Sequence, residues 1–197
     1  MNNQIAKKFD TLSLLKFTLP SMIMMLFMAL YQMVDAVFVS NFVSETALSA
    51  LNIVYPLISF IIAVAVMLAT GGSAVIAKKM GEGEHALARQ LFSMVVLIGV
   101  LFGIAMTLVG IFFTRPLIHL MGSTLALDPY CYDYLYTLML FSPFAVLQLL
   151  FQTFFITAGK PHLGLVVTVL AGIANIFFDF LFIVVIPLGV KGAAYGT

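Results

Sequence analysis

The sequence predicts an all-α fold, a polytopic membrane bundle of five transmembrane helices plus the start of a sixth. Three observations carry this. Of the 197 residues, 63% are hydrophobic and only 9% are charged, whereas a soluble domain needs far more polar surface to cover its core. The apolar residues gather into five runs, and a hydrocarbon core about 30 Å thick is crossed by about 20 helical residues. No run alternates apolar with polar residues, and unpaired backbone cannot sit in lipid, so helices are favoured over barrel strands.

Residues 1–13 are a short polar N-terminal segment. The first run, Leu14–Ser40, is too long for the apolar region of a signal peptide, contains Pro20, Gln32 and Asp35, and has no small-x-small cleavage site. It is read as a retained span. The second span is Leu48–Ala77. The following loop, Lys78–Gln90, turns at Gly81 and Gly83, and is expected either to start a short amphipathic helix at the membrane surface or to be a solvated linker. The third span is Leu91–Phe113. Asp128–Pro129 is a helix-start signal for the fourth, Tyr130–Ala158, with Asp133 still in the interface. The fifth is Leu163–Ile186. The tail Pro187–Thr197, with Gly189, Gly192, Ala193, Ala194 and Gly196, reads as a turn feeding a sixth helix from about residue 190. Residues 14–197 thus form one transmembrane bundle, and five spans with a stub make the sequence look truncated.

Basic residues set the orientation. Lys7, Lys8, Lys16, Lys78, Lys79, Arg89 and Lys160 fall on one side of an alternating topology; only Arg115 and Lys191 fall on the other. The expectation is a multi-pass protein of the plasma (inner) membrane with a cytoplasmic N-terminus.

Several classes are excluded. The net charge is +1 with no basic stripe, so no nucleic-acid partner is expected. The single cysteine, Cys131, rules out an internal disulfide framework and reads as a small packing residue. His85, His119 and His162 are scattered and form no metal cluster. No phosphate-binding glycine loop with a lysine, H-E-x-x-H or G-x-S-x-G motif is present, so neither an enzyme nor an ATP-driven pump is supported, and no cofactor is expected. Energy must come from an ion gradient or from a partner.

Acidic residues deep in spans cost about 2.5–3.5 kcal/mol each on insertion, which makes each a functional-site candidate. There are two, Asp35 in the first span and Asp179 in the fifth. Both spans run outward, which puts Asp35 ~9 Å and Asp179 ~12 Å from the outer ends of their helices at 1.5 Å per residue. Asn175 is one turn before Asp179 and emerges on the same face, and Thr197 could bring a hydroxyl to the same level. Asp35, Asn175, Asp179 and Thr197 supply only hard oxygen donors, which suits a proton or a small cation such as Na+ and does not suit zinc or copper. The alternative is that both carboxyls simply hydrogen-bond neighbouring helices. Pro20 removes one helical hydrogen bond and is either a hinge or a static kink; Pro56 and Pro143 carry the same ambiguity. Met22, Met25 and Met28 form a soft stripe that lines a promiscuous cavity or is lipid-facing or interhelical filler. Gln148 and Gln152, one turn apart, line a polar cavity or hydrogen-bond across helices.

These residues fall into a pattern that resembles the N-terminal half of multidrug and toxic-compound extrusion (MATE) transporters. The matching stretches are Leu19–Pro20, Val34-Asp35-Ala36-Val37-Phe38-Val39 and Ala47-Leu48-Ser49-Ala50-Leu51. They continue with Gly81-Glu82-Gly83-Glu84, Ala158-Gly159-Lys160-Pro161, Asn175-x-x-x-Asp179 and Gly189-x-x-Gly192-Ala193-Ala194-x-x-Thr197. The resemblance implies two six-helix bundles around a central cavity, of which this chain covers most of the first. It also implies exchange of protons or sodium for organic, often cationic, drugs by alternating access, a cation site at Asp35, Asn175, Asp179 and Thr197, and a bending proline at Pro20. The expected partners are the lipid bilayer, drug-like molecules and a second six-helix half, in the same longer chain or as another subunit. Two alternatives remain: a lipid-linked precursor flippase of the same superfamily, whose cavity usually carries basic residues that are missing here at membrane depth, and a non-transporting half or assembly subunit.

Overall fold

The computed structural model describes residues 11–196. Its helices are α1 (Thr11–Phe42), α2 (Glu45–Gly81), α3 (His85–Leu120), α4 (Asp128–Leu140), α5 (Ser142–Thr157), α6 (Pro161–Asp179) and α7 (Val190–Gly196), with a π-helical segment, Phe180–Val185, continuing α6. Four stretches are long and apolar enough to cross a membrane: Thr18–Phe42, Glu45–Gly81, His85–Leu120 and Pro161–Val185. The pair α4 and α5 meets the same test together, across a bend of 57°.

Local chemistry explains the turns. Ser44 caps α2 by accepting the Ala47 amide at Oγ (3.0 Å), with Glu45 in the first turn where the helix dipole favours an anion. Lys78 and Lys79 occupy the last turn of α2, the favourable end for cations. Gly83, at φ 82°, reverses the chain between α2 and α3 in a conformation that L side chains avoid. Lys79 Nζ bridges Glu82 (2.7 Å) and Glu84 (3.3 Å) across the same turn.

Apolar residues face both ways, outward to lipid and inward to a core. Large side chains such as Leu101, Phe112, Phe113 and Phe144 are exposed, while Val54, Ile118, Leu135, Val146 and Leu150 are fully buried. Lipid tails give apolar helices no reason to leave them, so association relies on close packing over small residues. On α3, an added Cβ at Gly99 would meet the Leu150 side chain, one at Gly103 the backbone of Pro143, and one at Gly110 Met139 Cβ at 2.5 Å. This glycine face lets α4 and α5 lie against α3, while α2 closes the same core and α1 runs along α6.

Two expectations need correction. The fourth span is not one helix over Tyr130–Ala158: it breaks at Phe141. Pro143 has no N–H to give the carbonyl of Met139 four residues earlier and its ring crowds that carbonyl. The freed Met139 oxygen accepts instead from Thr107 Oγ1 and Ser142 Oγ, both at 2.9 Å, and Thr107 Oγ1 also reaches the Leu140 oxygen at 3.3 Å. Ser142 Oγ is 2.9 Å from the Gly103 oxygen as well. The loop Lys78–Gln90 holds no separate surface helix; α2 continues to Gly81 and α3 begins at His85, leaving a three-residue turn, 82–84. The fifth span changes from α to π geometry immediately after Asp179. By contrast α1 and α2 run unbroken through Pro20 and Pro56, α4 starts at Asp128 with Pro129 in its first turn, and a helix begins at Val190.

The packing generates a contrast. Gly103→Ala should destabilise the protein by about 1–3 kcal/mol, because the methyl overpacks a backbone that cannot move aside. Gly71→Ala, with nothing within 4 Å, should be neutral or stabilising by up to about 1 kcal/mol. Thermal unfolding in detergent, followed by size-exclusion, checks both; equal behaviour would remove Gly103 from the helix contact.

Candidate functional site

The site forms where α1 meets α6. Gly172 lets the helices close up, since a Cβ there would stand 2.5 Å from Phe27 Cε1 and 2.8 Å from Tyr31 Cδ1. One turn further along each helix come Asp35 on α1 and Asn175 on α6, followed by Asp179 on α6. Their charges fall within electrostatic reach of one another: Asp179 feels Asp35. Asp179 is 0% exposed and Asn175 is 7% exposed. α7 covers this pair, and Asn175 Nδ2 donates to the Gly196 oxygen at 3.0 Å.

What distinguishes the cluster is its unpaired oxygen. Asp35 Oδ1, Asn175 Oδ1 and both carboxylate oxygens of Asp179 are buried and have no hydrogen-bond partner among the described residues. A buried acceptor without a partner costs about 1–3 kcal/mol, more for a charged group, and natural structures carry few of them. Four on neighbouring side chains form an acceptor-only pocket suited to a proton or a hard cation. The alternative of two structural carboxyls, each bonded to a neighbouring helix, does not describe Asp179.

Of the other residues singled out from the sequence, Thr197 lies outside the described residues. Pro20 is buried inside an unbroken α1. Met22 and Met25 are exposed and stand apart from the site. Gln148 is exposed; Gln152 is half-buried and donates to Met28 Sδ (3.0 Å) and Thr168 Oγ1 (3.1 Å), so it is a polar tie between α5, α1 and α6. Asp133 pairs with Lys191 at 3.3 Å and Asp128 with His119 at 3.5 Å. Cys131 is fully buried, its thiol 3.7 Å from the Ala50 oxygen, as a packing residue would be.

Two residues of the site escape the sequence reading. Tyr134, on α4 and 7% exposed, is buried within electrostatic range of Asp35 and Asp179. It sits in a run of alternate tyrosines, Tyr130, Tyr132, Tyr134 and Tyr136, and nothing in that spacing says which one turns inward. Gly196 carries no signal in the sequence beyond its place in a turn-rich tail.

The unpaired oxygens have a consequence for stability. Asp179→Asn removes a buried charge that no described group satisfies, so in cation-free buffer the variant should unfold at the same or a higher temperature than wild type. Asn175→Ala instead strands the Gly196 carbonyl and should cost about 1–3 kcal/mol. Differential scanning fluorimetry of both variants decides; a strongly destabilised Asp179→Asn would mean that the carboxylate is structurally bonded.

Comparison with known proteins gives this geometry a setting. The MatE family pattern matches residues 20–181. The multidrug export protein MepA of Staphylococcus saprophyticus is 24% identical over 184 residues, which cover 93% of this chain and 41% of MepA. A solved structure of the MATE multidrug transporter DinF-BH superposes with a TM-score of 0.88 at 27% identity, over 92% of this chain and 41% of that one. A crystal structure of MATE in the straight conformation gives 0.86 at 25% identity, over 93% and 40%. The chain therefore spans less than half the length of these relatives, and it corresponds to their N-terminal half. With most of its spans inside the matched region, the chain belongs to the MatE family, a family of multi-pass membrane transporters rather than of enzymes.

Proposed function

We propose that this chain is the cation-coupling half of a secondary antiporter that exports organic, often cationic, drugs in exchange for protons or sodium. The observation that carries the proposal is the acceptor cluster of Asp35, Asn175 and Asp179, whose unpartnered oxygens are buried within spans long and apolar enough to cross a membrane. Thr197 would complete the ligand set, and Tyr134 would border it.

In this reading the five spans and the start of a sixth belong to one bundle, with α4 and α5 as a single bent span, facing a second six-helix half across a drug cavity. A cation that enters from outside binds Asp35 and Asp179. It shifts the balance between inward-open and outward-open forms only through its differential affinity for them. Pro20 would be the point at which α1 yields. The likeness to the multidrug export protein MepA and to the multidrug transporter DinF-BH supports efflux over lipid-precursor flipping, as does the lack of basic residues at membrane depth. The N-terminus is taken as cytoplasmic.

Efflux from proteoliposomes containing the full-length protein tests this under a sodium gradient alone and under a proton gradient alone. Asp35→Asn and Asp179→Asn should each abolish coupled export while leaving insertion intact. Asn175→Ala and Thr197→Ala should weaken sodium-driven export more than proton-driven export, because desolvating sodium needs neutral oxygen ligands. Wild-type efflux by either Asn variant overturns the coupling role. Transfer of a lipid-linked precursor without drug efflux favours the flippase, and no transport of either favours an assembly role.

Orientation has its own test. A reporter fused after Lys79 or Lys160 should read cytoplasmic, and one after Ser44 or Ser123 exterior; an exterior signal at Lys79 reverses the topology.

A further inference from the structure

We infer that Gly196 is a positioning residue of the cation site, seating the Asp179 carboxylate on its bare Cα and orienting the Asn175 amide through its carbonyl. The inference rests on the cation-binding reading above.

Two contacts converge on this residue. A Cβ built at Gly196 would overlap Asp179 Oδ1, and would stand 3.0 Å from Asp179 Cγ and 3.2 Å from the Asp179 amide nitrogen. The carboxylate therefore occupies the volume that any side chain would claim. Its other neighbours offer no relief, because Asp179 is 0% exposed and its own backbone presses on the same volume. The second contact is the hydrogen bond from Asn175 Nδ2 to the Gly196 oxygen, at 3.0 Å. An amide has one donor end and one acceptor end. Committing the donor end to α7 leaves Asn175 Oδ1 as the free acceptor beside the carboxylates, where it has no described partner.

A single glycine thus fixes both α6 side chains of the site, one by shape and one by a hydrogen bond. The approach is part of a longer seam. Gly192, one turn earlier on α7, would meet the Phe182 oxygen at 2.5 Å if it carried a Cβ. That oxygen belongs to the π segment immediately beyond Asp179 and accepts from Leu188 N at 3.0 Å. Gly192 explains why α7 lies so close; Gly196 converts the closeness into ligand geometry. Any displacement of α7 must move both ligands, so cation binding and α7 position are coupled reciprocally.

The test uses the full-length protein in detergent. Sodium is titrated against N-methylglucamine at constant pH and ionic strength, and the midpoint of the rise in unfolding temperature is read. Gly196→Ala should raise that midpoint about 10- to 100-fold, the usual cost of disturbing residues that hold ligands. Gly110→Ala, which overpacks Met139 at the α3–α4 contact, should lower the starting stability and leave the midpoint unchanged. If the wild type responds to pH and not to sodium, the pH midpoint is compared in the same way. A wild-type midpoint in Gly196→Ala overturns the inference. A wild type that responds to neither ion overturns the cation-site reading itself. Should Gly196→Ala not fold, the pair Gly196→Ala/Asp179→Ser removes the obstructed carboxylate. A restored monodisperse peak supports the seat, and continued aggregation overturns it.

Discussion

A carbonyl, amide or carboxylate left without a partner in hydrocarbon costs several kcal/mol. Helices pair most of their own backbone, and the long spans α1, α2 and α3 run unbroken through Pro20, Pro56 and Pro116. At Phe141 the helical ladder fails because Pro143 cannot donate, and the hydroxyls of Thr107 and Ser142 take over the Met139 oxygen. The 57° bend is thus a repaired break and not a loose joint. Between α1 and α6 the same constraint is left open: Asp35, Asn175 and Asp179 keep buried acceptors that no described donor reaches. The break is satisfied and the cluster is not, which is what marks the cluster as the candidate site.

Glycine serves both purposes by the same physics. On α3 it brings helix backbones together so that dispersion contacts can hold a bundle with no hydrophobic driving force. On α6 and α7 it brings polar groups together. Gly172 closes α1 onto α6 over Phe27 and Tyr31, and Gly196 closes α7 onto Asp179. Without the first approach Asp35 would not share a pocket with Asp179. Without the second the pocket would have no roof.

The sequence makes the spans legible because hydropathy measures the cost of leaving lipid directly. It makes the two carboxyls legible for the same reason, since an acidic residue amid Val and Phe has few explanations. Asn175 follows from its spacing on one helix face. Tyr134 does not, because an alternate run of tyrosines in an amphipathic interface carries no phase until α4 is packed against its neighbours. Gly196 does not, because a glycine in a turn-rich tail looks like every other one until the atom above it is known. The break at Phe141 is visible as Pro143, but its consequence depends on Thr107, distant in sequence and adjacent only in the fold. The α-to-π change after Asp179 has no evident signal in Phe180–Val185, a uniformly apolar run.

The position of the acceptor cluster also bears on how a bound cation would act at a distance. α1 packs chiefly along α6, with lighter contacts to α2, the π segment and α7. Two of its ties to the rest are the Gly172 closure and the Gln152–Met28 hydrogen bond, both on the Pro20 side of Asp35. Asp35 on α1 and Asp179 at the end of α6 flank this seam. Like charges repel more strongly in low dielectric than in water, so two ionised carboxylates would weaken the α1–α6 contact. A proton or sodium ion between them replaces that repulsion with attraction. The ion would therefore work on the α1–α6 contact itself, and a helix held mainly by one neighbour is the one most easily moved when that contact changes sign.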